Sequence, residues 1–134
     1  PINPLNFRDQ KYGSFKVALA GPGSNLLIAL IFGLLLRFSL SLNFIPLGFY
    51  SMFSFIVSIN ILLAIFNLVP IHPLDGSHIL FTFLPYSMQN VKIFLSQFGF
   101  LILIFLIFFF PPFFQTLISL VNRIFALIVG VPPF

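Results

Sequence analysis

From Val17 to Leu42 the chain runs almost without interruption in apolar and small residues. That is long enough to cross a hydrocarbon layer of roughly 30 Å, which takes about 20 helical residues. Nothing else in the sequence limits the fold as much. Three further stretches repeat the pattern, at Phe49–Val69, Phe94–Phe110 and Phe113–Val131. Composition identifies the solvent: 60% of the 134 residues are hydrophobic and 6% are charged, against about 25% charged in a soluble domain. A water-soluble fold built from these residues would expose Phe and Leu over areas that drive association. The expected fold is therefore all-α, a multi-pass transmembrane bundle of three or four spans forming one membrane domain over residues 1–134. The count stays open because Phe113–Val131 carries Gln115, Asn122 and Arg123.

The segments between the spans are short and polar. Residues 1–16 read as a loop leading to a membrane surface, and Asn43, Pro46 and Gly48 punctuate a hairpin between the first two spans. Pro70 and Pro73 break the chain twice, since each lacks an N–H and disfavours helix at the residue before it. Helix can resume only after Pro73, which places Asp75 near a new helix N-terminus, where a carboxylate is favoured by the dipole. Ile79–Tyr86 then continues as a short apolar piece, and Ser87–Lys92 reads as a polar interruption.

Arg8, Lys11 and Lys16 precede the first span, and two crossings return the His72–Lys92 region to the same side. The excess of basic residues assigns that side to the cytoplasm, with Asp75 toward it. Arg37 and Arg123 are expected to snorkel from span ends to the surface. Trp is absent, so Tyr12, Tyr50 and Tyr86 are the remaining interfacial anchors. A net charge of +4 does not signify nucleic acid, because the six basic residues form no run. The absence of Cys excludes disulfides, thiolate metal sites and thiol nucleophiles.

Only Asp9 and Asp75 are acidic. An isolated carboxylate at membrane depth costs at least about 2.5 kcal/mol, so a residue there has a partner or lines a wet cavity. Either Asp75 caps a helix just outside the hydrocarbon, or it holds a cation. His72 and His78 suggest a His-x-x-Asp-x-x-His metal site, but Pro73 interrupts the spacing, and residues six apart on a helix do not share a face. Interfacial hydrogen bonding is the simpler role for both.

Asn67-Leu68-Val69-Pro70 followed by Pro73-Leu74-Asp75-Gly76, at the end of a membrane helix, resembles the second signature of the site-2 proteases, the intramembrane zinc metalloproteases. Ala20-Gly21-Pro22-Gly23-Ser24-Asn25 at the head of the first span is similar to that family's Ala-Gly-Pro-x-x-Asn element. Pro1-Ile2-Asn3-Pro4 with Phe7-Arg8 resembles the loop before it. The three elements agree in order and spacing.

The resemblance implies that Asp75 is the third ligand of one Zn2+ ion, beside two His of a His-Glu-x-x-His helix. In that arrangement the Glu is the general base and one zinc position stays open for water. It implies that Asn67 lines the active site and contacts substrate backbone or oxyanion, and that the substrates are transmembrane-helix proteins cut in or near the bilayer. Gly21 and Pro22 are expected to shape a helix entrance and allow close packing; Asn25 has either a packing or a site role.

The sequence departs from the family pattern in one respect: it has no His-Glu-x-x-His and no Glu. We expect this stretch to be the C-terminal part of a longer metalloendopeptidase and to be inactive alone. The alternative is a non-catalytic relative, a membrane scaffold or transporter component whose broken helix binds an ion.

Overall fold

The computed structural model describes residues 10–42 and 46–133. The Pro1–Arg8 element, Asp9 and Asn43 lie outside the described residues. Five α-helices follow in order: α1 (Gln10–Leu42), α2 (Leu47–Asn67), α3 (Asp75–Phe83), α4 (Gln89–Phe109) and α5 (Pro111–Val129), with one 3-10 turn at Tyr86–Met88 before α4. No strand occurs among the described residues. Four of the helices, all but α3, are long and apolar enough to cross a membrane, which places the chain at the upper end of the expected three or four spans.

Proline and glycine set most boundaries. Pro46 precedes α2, and Pro85 precedes the 3-10 turn. Pro111 and Pro112 open α5, where a missing N–H is harmless and φ is already helical. They are the first two residues of the fourth span. Gly130 ends α5 with φ +90°, the left-handed conformation that favours glycine, and its N–H donates to Ala126 O.

All four long helices begin earlier than hydropathy suggests, α1 and α4 by the most. α1 starts at Gln10 rather than Val17, and α4 absorbs Gln89–Lys92, the expected polar interruption. The edge of an apolar run marks a change of solvent, whereas a helix ends where backbone bonding stops, and Gln and Lys are good helix formers. α2 stops at Asn67, two residues short of Val69, because Pro70 restricts the residue before it.

The core lies where α1, α2 and α5 meet. Ala29 and Leu36 from α1, Val57 and Ile61 from α2, and Val121, Phe125 and Val129 from α5 form one buried cluster. Their spacings of four and seven keep each set on one helix face. Lipid is as apolar as Leu, so helices associate through close contact and interhelical hydrogen bonds rather than through escape from water. Gly33 meets the Ile128 side chain directly. Tyr50 donates its hydroxyl to Ser39 O at 3.1 Å, linking α2 to α1.

Arg37 also works across helices. Its Nη1 donates to Leu127 O at 3.3 Å and Ile128 O at 3.4 Å, the last carbonyls of α5. Those carbonyls have no partner within their own helix and carry the negative end of its dipole. This is the reason Arg37 reaches to a neighbour instead of simply snorkelling to the surface.

Candidate functional site

The Asn67–Gly76 segment is compact. After α2, Leu68 N–H bonds back to Ala64 O and Ile65 O, and Val69 N–H to Phe66 O. Leu74 N–H then donates to Ile71 O across the cis His72–Pro73 peptide. Ser77 donates its N–H and hydroxyl to Leu74 O, at 3.0 and 2.8 Å. Gly76 is buried against the Leu68 and Val69 carbonyls, with no room for a Cβ. The absence of a side chain at this one position lets the start of α3 close onto the end of α2, bringing both halves of the broken-helix pattern together.

Asp75 is the first residue of α3, as the proline spacing predicts, but it does not cap it. The capping position is Leu74, and no side-chain cap bond forms. The carboxylate is half-buried and turns toward α1, where a Cβ built on Gly21 would stand 2.8 Å from Oδ2. Gly21 lies within α1, roughly 16 Å along the axis from Gln10 at ~1.5 Å per residue. It therefore does not shape a helix entrance. Pro22 beside it is fully buried inside the same helix. Asn25, four residues after Gly21 and half-buried, shares its face of α1. The two sequence elements thus meet in space, the Ala-Gly-Pro element providing a notch and the Leu-Asp-Gly element a carboxylate that enters it.

The sequence profile of peptidase family M50 matches residues 41–106, which include Asn67 and Asp75. A Bacillus subtilis protein named "Putative zinc metalloprotease YwhC" is 31% identical over 117 residues, 84% of this chain and 52% of that protein. Both matches support membership of the site-2 protease family. It spans about half the length of the curated relative it matches. No solved structure matches it.

Asn67 ends α2 and is half-buried. His72 and His78 do not join Asp75. No group of three His, Cys, Asp or Glu able to hold a metal occurs among the described residues. His72 lies against Gly99 of α4, where a Cβ would stand 2.5 Å from His72 O, and both histidines line a separate polar cleft. The contact with α4 could not be read from sequence, because Gly99 looks like any small residue of a span.

A zinc site in this family needs three protein ligands. The described residues offer one suitable donor, a carboxylate without a capping duty, partly shielded from water and seated where glycine leaves space. They fit as a single ligand and not as a complete set. Arg123 is exposed on the outer face of α5 with Gln115, Ser119 and Asn122.

Proposed function

We propose that this site-2 protease chain contributes the carboxylate ligand of one zinc ion to a multi-pass membrane enzyme that hydrolyses peptide bonds in or near transmembrane helices. The observation that carries the reading is the position of Asp75: it opens α3 without capping it and turns its carboxylate into the Gly21 notch of α1. The two His ligands and the general-base Glu belong to residues outside this sequence, on a His-Glu-x-x-His helix. Asp75 faces the cytoplasmic side in this reading, following Arg8, Lys11 and Lys16 ahead of the apolar run that starts at Val17.

When bound, zinc supplies a water of lowered pKa and polarises the peptide carbonyl. Asp75 holds its oxygen donors at a fixed point on α1, because the short turn of Ile71–Leu74 and the Gly76 contact leave α3 little freedom to shift. Asn67 carries an amide that can donate to the substrate carbonyl oxygen as charge develops there, or hold the substrate backbone. The apolar spans exclude bulk water, which strengthens each of these polar contacts.

The test uses the full reading frame, purified in detergent and in lipid. Zinc per protein is measured by elemental analysis and cleavage with a transmembrane substrate. Asp75→Asn is expected to lower both zinc retention and cleavage, while Asp9→Asn leaves both unchanged. An Asp75→Asn protein that keeps its zinc and its cleavage rate would remove Asp75 from the site and with it this reading.

A further inference from the structure

Ser14 of α1, His72 of the broken-helix loop, His78 and Thr82 of α3, and Lys92 and Ser96 of α4 line an open cleft of about 420 Å³. It is distinct from the Asp75 notch, since Asp75 faces Gly21 and is not part of this lining. Ser14 and Lys92 each stand within about a turn of the start of their helices, α1 and α4. The cleft therefore opens at the end of the bundle where those two helices begin, the level of the polar headgroups when both span.

Several donors share this cleft. Thr82 and Ser96 spend their hydroxyl protons on His78 O and Lys92 O, each at 2.8 Å. That leaves the Lys92 ammonium, the two imidazoles and the Ser14 hydroxyl as donors, and an imidazole keeps at least one N–H in either protonation state. Lys92 Nζ lies 5.6 Å from the centre of the Phe81 ring, a contact that steadies the cation without neutralising it. No carboxylate lines the cleft among the described residues. The same two helices, α3 and α4, expose Phe83, Phe94 and Phe98, apolar surface of the kind an acyl chain covers.

We propose that this cleft is a headgroup site for an anionic phospholipid, with the phosphate received by Lys92, His72 and His78. Basic pockets between membrane helices bind anionic headgroups in this way. The site stands apart from the protease reading, because it uses neither Asp75 nor Asn67.

The experiment takes protein purified from the full reading frame into nanodiscs of phosphatidylcholine alone or with phosphatidylglycerol, and counts lipids retained by native mass spectrometry. Wild type is expected to retain phosphatidylglycerol in preference to phosphatidylcholine. Lys92→Gln is expected to weaken that preference about fivefold, the effect of one basic side chain at a membrane surface, and Lys92→Arg to restore it. Adding His78→Gln to Lys92→Gln lowers it further, while the melting temperature in neutral lipid stays unchanged. Equal retention of the two lipids by wild type, or by wild type and Lys92→Gln, overturns the proposal. So does binding of inorganic phosphate with no lipid preference. A Lys92→Gln defect confined to cleavage of acidic substrates, with lipid retention intact, overturns it in favour of a substrate subsite.

Discussion

The Oδ2 atom of Asp75 lies 2.8 Å from where a Cβ on Gly21 would be, so the two residues share one small volume and only one of them can fill it. This is closer than real Cβ contacts allow, and the nearest atom belongs to the tip of a side chain, which can move. Gly21→Ala is therefore expected to leave the fold intact and displace the carboxylate. Misplacing a reacting group by about 1 Å can cost on the order of 100-fold in rate. Cleavage by the full-length protein should fall by that order while its melting temperature changes little; a rate equal to wild type would mean the notch does not position Asp75.

Gly76 presents the opposite case. A Cβ there runs into the Leu68 and Val69 carbonyls, which are backbone and cannot yield by rotating a side chain. Gly76→Ala should destabilise the protein by about 1–3 kcal/mol or more, the cost of overpacking a tight site. Gly23→Ala is the control, since nothing lies within 4 Å of its Cβ position and alanine is favoured in a helix by about 1 kcal/mol. Thermal unfolding in detergent should separate the two.

Phe125 is fully buried between α1, α2 and α5. Phe125→Ala leaves a cavity in that core and should cost about 3–5 kcal/mol. Phe108→Ala, on an exposed position of α4, should change stability far less. Reversible unfolding in bicelles measures both, and similar losses would place α5 outside the bundle.

Removing the Arg37 guanidinium leaves the Leu127 and Ile128 carbonyls without that donor. Arg37→Met, which keeps much of the apolar stem, should lower stability by about 0.5–2 kcal/mol. The loss should appear as faster amide exchange in the last turn of α5. Unchanged protection there would show that the cap contributes nothing.

Much of this architecture was legible because bilayers simplify the reading. Apolar length gives the spans, and Pro70 and Pro73 give the broken helix with Asp75 at the restart. Helix ends were less legible: Gln10–Lys16 and Gln89–Lys92 are polar yet helical, because hydropathy reports the solvent and not the backbone. The partner of Asp75 was hidden for a different reason. Gly21 acts by lacking a side chain, and a span contains several small residues with no local signal of which one faces another helix. The acceptors of Arg37 were hidden likewise, since they lie 90 and 91 positions away.

The length of α1 has a consequence for how the protein floats. Its 33 residues make a rod of roughly 50 Å, and even at a tilt of about 40°, the upper end of what is observed, it still rises roughly 38 Å, more than the hydrocarbon thickness of about 30 Å. Leaning cannot hide the excess, so part of the rod must emerge. The more polar end carries Gln10, Tyr12, Ser14 and Lys16, while the other holds Arg37, Ser39 and Ser41 among its apolar residues. Lys16 then acts as a waterline, setting the depth at which every side chain further along α1, Gly21 included, sits below the surface.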